Sequence, residues 1–320
     1  MYDNTKCDFC HINFSENCAI ISEQIAVSVG EQRIMRNKFI NIGLLLTLSL
    51  CLTTSTTYAL VKFSVPKSVQ QGEPFVVEIF TDEVLEEPTL HWLGKSARLV
   101  SETEQGKITA ILASNALQKT GRQVVSLTFR VGAENFELQK YINIVSKNYP
   151  KESLRVNPSK VNFTPDVQKR MEKEKQIYNS VIGKSYVGGN FLLPFARPCK
   201  GKSLSKYGNI RIFNNKPFGF HGGIDFRAPM GTPIKSVADG KVCLVSHFYL
   251  TGGLIMIDHG AGLFSSYCHL SKKMVKVGDV VKRGEVIGLS GASGRVTGPH
   301  LHLEMCWNGI RFNAASLLEK

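Results

Sequence analysis

The sequence predicts a mainly β protein in three parts: a small N-terminal β-sandwich, a linker carrying one helix, and a C-terminal β-sheet region. Three observations point there. Short alternating apolar runs punctuated by glycine fill residues 60–146. A polar connector and one capped amphipathic stretch occupy 147–185. From 186 to 320, runs rich in Val, Ile, Leu and Phe are again divided by glycine turns, with no sustained helical period. At 320 residues and 43% hydrophobic content, the chain is long enough to bury more than one core.

Residues 1–34 are polar and contain Cys7-Asp8-Phe9-Cys10-His11, which has the form of a c-type haem attachment site. The next stretch argues against that use. Met35-Arg36-Asn37-Lys38 followed by the apolar run Phe39 to Leu52 reads as a secretory signal, and Thr57-Tyr58-Ala59 offers a small-x-small cleavage site. Such a signal starts a chain, so translation is expected to begin at Met35, with 1–34 a non-native leader and 35–59 the signal. The haem motif then has no role. Cys51 follows the bulky Leu50 where a lipoprotein box carries a small residue, so cleavage is favoured over lipidation. The mature chain is expected in the periplasm or cell envelope, without an integral membrane span.

Residues 60–146 carry the strands of the sandwich: Phe75 to Ile79, Val124 to Val131 and Phe136 to Val145. His91-Trp92 within it reads as edge packing rather than a ligand site, because a lone histidine beside a tryptophan more often packs than binds. Lys147 to Phe163 is a polar, proline-interrupted connector. Thr164-Pro165-Asp166 then supplies a cap and a first-turn proline. Val167, Met171, Tyr178, Val181 and Ile182 fall on one side of the helix that follows, a stripe expected to pack on the C-terminal region.

The C-terminal region holds the chemistry. His221 and Asp225 are four residues apart, which on a straight strand is about 13 Å, too far to share a metal held at about 2 Å. Gly222-Gly223 between them suits a bend that brings both to one point. His300 and His302, at i and i+2 of a strand, share a face, so one can bind a metal while its neighbour stands beside it. Two histidines and one carboxylate leave a tetrahedral zinc one open position, the arrangement of a catalytic site.

These residues sit in a longer pattern: His221-Gly222-Gly223-Ile224-Asp225, Ala228-Pro229-Met230-Gly231, Asp239-Gly240-Lys241-Val242, Asp258-His259-Gly260, Tyr267-Cys268-His269-Leu270, Val277-Gly278-Asp279-Val280 and Gly298-Pro299-His300-Leu301-His302. Over about residues 186–315 the chain resembles the lysostaphin- and LytM-type zinc metalloendopeptidases, which cut the peptide part of peptidoglycan. The resemblance implies a LytM-type sheet related to the barrel-sandwich hybrid, with one Zn2+ per chain on His221, Asp225 and His302. It also implies that His269 and His300 are the catalytic pair, that peptidoglycan is the partner, and that its cross-links or stem peptides are hydrolysed through a metal-activated water. A catalytically silent relative that activates another cell-wall hydrolase is the alternative. Such relatives lose ligands, and here the five positions all match. A lipoyl or biotinyl carrier, suggested by the repeated turn-and-strand units at 277–287, lacks the displayed lysine hairpin.

The remaining features are read more modestly. A net charge of +13 fits an anionic membrane or wall, and no recognition motif points to nucleic acid. His259 reads as a structural turn residue, His247 has no motif around it, and Tyr267 suits either the groove wall or strand packing. Four cysteines remain after signal removal, Cys199, Cys243, Cys268 and Cys306. In an exported chain they lead to an expectation of disulfides. Cys268 should point away from the groove, because its strand parity is opposite to that of His269.

Overall fold

The structure, a computed structural model, describes residues 32–36 and 57–320, except 102–105 and 190. The expected leader and signal fall largely outside these residues, including the haem-like motif and Cys51. Among the described residues no helix is long and apolar enough to cross a membrane.

The protein is mainly β. In the front part, Gln32–Arg36, Thr57–Ser64, Pro74–Thr81 and Lys107–Ala113 form a four-stranded antiparallel sheet. A five-stranded sheet runs Ser68–Gln70, Glu134–Val145, Gly121–Val131, Glu86–Trp92, Lys95–Arg98. The period-2 pattern of Pro74–Thr81 turns Phe75, Val77 and Ile79 inward. Trp92 joins the two sheets: its ring stands edge-on to Phe75 at 5.2 Å and its indole N–H donates to the Ala113 carbonyl at 2.7 Å. His91 shares a 3.0 Å hydrogen bond with Thr128 Oγ1, the packing role its sequence context suggests.

Behind this sandwich, Lys151–Leu154 pairs in parallel with Ile210–Phe213, which turns back into Lys216–Phe220. The helix Pro165–Ile182 starts where the cap predicts, with Thr164 Oγ1 accepting from the Val167 amide. The last turns of its apolar stripe, Tyr178, Val181 and Ile182, cover Met256, Phe264 and Cys306 on one face of the largest sheet. That sheet has eight strands. Its order is Ser203–Ser205, Ile224–Arg227, His300–Trp307, Leu263–Leu270, Gly252–Asp258, Gly240–Phe248, Val280–Val281, with Ile310–Phe312 pairing along the far end of His300–Trp307. Leu301, Leu303, Met305 and Trp307 fill its opposite face and are fully buried. Tyr207 lies between the front and rear parts: its hydroxyl accepts from the Ala116 amide at 3.1 Å and donates to the Arg311 carbonyl at 2.8 Å.

The expected disulfides are absent: Cys199, Cys243, Cys268 and Cys306 are free thiols. The register explains three of them. Cys268 stands opposite His302, four residues from Cys306 on that strand, and Cys243 is two strands away from Cys268. Strand spacings then separate the pairs by roughly 10 Å or more, beyond the roughly 7 Å reach of a bridge. Burial pushes the Cys268 thiol well above its ordinary range and the Cys306 thiol up to about 12.

Candidate active site

The bend expected at Gly222-Gly223 is a change of sheet. Lys216–Phe220 ends in the three-stranded sheet, His221 follows, and Ile224–Arg227 begins in the eight-stranded one. A Cβ at Gly223 would stand 2.2 Å from the Leu303 carbonyl oxygen and 2.8 Å from His302 Nε2, so no other residue fits this crossing. The turn drops His221 back onto Asp225, and Asp225 is the direct cross-strand partner of His302. Three sequence-distant side chains thus meet at one point.

The contacts are close. His221 Nε2 lies 3.0 Å from Asp225 Oδ1 and 3.0 Å from His302 Nδ1, and His302 Nδ1 lies 2.8 Å from the same Asp225 oxygen. Among the described residues this is the cluster of His, Cys, Asp and Glu whose ligand atoms converge closely enough to hold a metal ion. The donor chemistry agrees. His221 Nδ1 is 2.8 Å from the Lys206 carbonyl, which only accepts, so the ring gives its proton there and carries a lone pair at Nε2. That lone pair faces a carboxylate oxygen and another ring nitrogen, a set of acceptors that a cation satisfies. Burial pushes His221 below its ordinary pKa, against the hydrogen bond to Asp225. Asp225 is pushed up by burial, yet its contacts with His221 and His302 outweigh this and hold it well below the usual carboxylate range.

His269 and His300 flank the triad. Their rings are 4.7 Å apart between centroids, and His269 is 6.0 Å from His302 by the same measure. Each Nδ1 is bound to a backbone carbonyl, of Ser293 for His269 and of Gly298 for His300, both at 2.8 Å. Both rings are thereby fixed with the lone pair at Nε2, and His300 Nε2 is 3.8 Å from Asp225 Oδ1. Burial, then the neighbouring His302 and His300, push the His269 pKa down to about 3, against the Ser293 hydrogen bond. It is a neutral base at physiological pH.

The parity argument for Cys268 does not hold. Cys268 is paired with His302 across the strands and so shares its face, while His269 adopts φ +64°, which breaks the alternation. The left-handed residue, not strand parity, carries the His269 ring to the site. Cys268 is buried beside it among Phe248 and Leu254. Tyr267 is fully buried, its hydroxyl accepting from the Val237 amide at 2.8 Å, so packing is its role. His259 is likewise enclosed, between the Asp239 carbonyl at 2.6 Å and Ser265 Oγ at 2.7 Å.

Sequence reasoning missed the residues that brace the site. Arg211 is buried and donates to Asp225 Oδ2 at 2.8 Å, while its other nitrogen meets Glu152 Oε2 at 3.3 Å. Glu152 also accepts from Ser205 and Asn209. The alternation of Ile210–Phe213 marks Arg211 as facing inward beside Phe213, a buried charge in need of a partner and the one available signal.

The model for peptidase family M23 matches residues 219–314, a stretch that contains all five site residues. A crystal structure described as an M23-type peptidase from Pseudomonas aeruginosa is 32% identical, covers 76% of this chain and 92% of its own, and superposes with a TM-score of 0.57. The chain belongs to peptidase family M23. Among curated M23-like relatives, the peptidoglycan DD-endopeptidase ShyA of Vibrio cholerae is 47% identical over 94 residues, 29% of this chain and 22% of that protein. The DD-carboxypeptidase/endopeptidase Mpg of Neisseria meningitidis serogroup B is 40% identical over 134 residues, 37% of this chain and 31% of its own length. The M23 chain described here thus spans less than a third of either relative.

Proposed function

We propose that the protein is an exported, zinc-dependent endopeptidase that hydrolyses peptide cross-links or stem peptides of peptidoglycan in the cell envelope. The convergence of His221 Nε2, Asp225 Oδ1 and His302 Nδ1 beside two lone-pair-bearing imidazoles carries this reading. The names of the M23 relatives support the substrate. His221, Asp225 and His302 would hold one zinc per chain. A zinc ion held there would supply Lewis acidity and would lower the pKa of a bound water toward about 7. His269 and His300, held by Ser293 and Gly298 with Nε2 free, take the proton from the attacking water and deliver it to the leaving amine. Arg211 fixes the free oxygen of Asp225, so the carboxylate keeps one orientation through the cycle.

The test is metal analysis of purified protein beside digestion of sacculi followed by mass spectrometry. One zinc per chain with release of cleaved cross-link or stem peptides is expected. Folded, zinc-loaded protein that releases no peptide would leave the silent activator in its place.

A further inference from the structure

Arg295 is a charge without a counter-charge. It lies in the loop between Gly291 and His300, two residues after Ser293, whose carbonyl holds His269. Its guanidinium carbon is 3.9 Å from the centre of the Phe218 ring and 4.3 Å from that of Phe213. Two aromatic rings therefore hold the guanidinium, as cation–π contacts do. Among the described residues no carboxylate or carbonyl meets its side chain, and Nη1 is buried with no partner. Burial, followed by repulsion from Arg211, pushes its pKa down to about 10, so it is cationic at neutral pH.

Two features place this cation beside the chemistry. Arg211 and Phe213 are i and i+2 of one strand and both are buried, so the Arg295 site lies roughly 7 Å along that strand from the residue that grips Asp225. A second orphaned polar atom, Thr251 Oγ1, is found in the adjoining loop, whose Thr251 carbonyl accepts from the His269 amide. The two loops are pressed together, since a Cβ at Gly294 would stand 2.4 Å from the Leu250 carbonyl oxygen. Buried donors without partners cost free energy until something accepts from them.

Building on the hydrolase reading, the geometry points to Arg295 as the residue that binds a substrate carboxylate next to the scissile bond. The Phe213 and Phe218 rings cross at 76°, so the guanidinium lies face-on to at most one of them and keeps an edge for a planar, two-oxygen anion, whose fork a carboxylate matches. The carboxylate is either the free terminus of a peptide stem or an acidic side chain flanking the cut bond.

The experiment uses the full zinc-loaded protein and synthetic cross-linked stem peptides: both carboxylates free, the terminus amidated, the side chain amidated, or both. For the wild type, one single amidation is expected to raise KM by about 10- to 100-fold with kcat little changed, and that amide identifies the source. Arg295→Gln should lose the same factor on the free peptide and be indifferent to the amide. Arg295→Lys, which keeps the charge but not the fork, should retain part of the discrimination. Equal loss on free and doubly amidated peptides, or no loss on either, overturns the assignment.

If the wild type cleaves none of the peptides, the hydrolase reading fails. Binding then decides the carboxylate site separately, by NMR titration of the free and doubly amidated peptides into wild type and Arg295→Gln. Preference for the free peptide in the wild type alone supports the site, and no preference in either refutes it.

Discussion

The front sandwich and the rear sheet bury similar apolar side chains but treat charge in opposite ways. Among the described residues of the front part the buried polar ones are Thr81, Ser114 and Ser126, none of them ionisable near neutral pH. Its charges stand outside in exposed pairs such as Arg130–Glu86 and Lys107–Glu78, both at 2.6 Å. The rear part encloses Arg211, His221, Asp225, Asp258, His259, His269 and Glu304. Enclosing ionisable groups costs stability unless each is bonded, and here nearly all are. The contrast separates a region whose core is free of ionisable groups among its described residues from one built around them.

The largest effects should come from breaking the rear cluster. His221→Ala or His302→Ala leaves two protein ligands, so zinc per chain should fall to near zero and hydrolysis with it, by more than about 1,000-fold. His269→Ala and His300→Ala should keep near-stoichiometric zinc while turnover falls about 100-fold or more. Atomic absorption beside peptide release from sacculi distinguishes the two outcomes, with circular dichroism as the check on folding. A zinc-free, folded His300→Ala protein would reverse the roles within His300-Leu301-His302.

An intermediate effect is expected from acid. Burial lowers the folded pKa of His259 to about 4 from its ordinary 6.5, so the unfolded chain takes up the proton first as pH falls. The contribution is whole above pH 6.5 and is lost between about 6.5 and 4, roughly 3 kcal/mol in all. Denaturant melts across that window should show the loss, and His259→Gln should remove its share of the slope while leaving that of His269, which burial lowers likewise. The front sandwich, with no buried titratable group among its described residues, should contribute no such slope.

The smallest effect should follow from the front surface. Arg130→Ala breaks the exposed pair with Glu86 and should change stability by less than about 1 kcal/mol, with zinc and turnover unaltered. A tenfold fall in turnover would show that this surface takes part in substrate handling.

The sequence made legible whatever depends on neighbours along the chain. Thr164 and Pro165 mark the helix start, the alternation of Pro74 to Thr81 marks a two-faced strand, and Gly222-Gly223 marks the bend. What depends on the path of the chain through space was hidden. The Arg211 partners Asp225 and Glu152 lie 14 and 59 residues away from it, and nothing local predicts either contact. The φ +64° of His269 is equally silent, because the apolar Tyr267, Cys268 and Leu270 around it read as a continuing strand. The disulfide expectation failed for the same reason: an even number of cysteines speaks of compartment, whereas bridging requires register. The backbone carbonyls of Ser293 and Gly298 that orient the His269 and His300 rings carry no side-chain signal at all.

The Tyr207 hydroxyl, bonded to the front part on one side and to the rear on the other, has a mechanical consequence. Its rear partner is the backbone of Arg311, whose side chain holds Glu304 at 2.8 Å, on the same strand as His302. A pull on the sandwich therefore reaches the strand bearing His302 through one phenol, one backbone carbonyl and one ion pair. The front part is anchored against the rear as a brace, and a load placed on it is passed on toward the site.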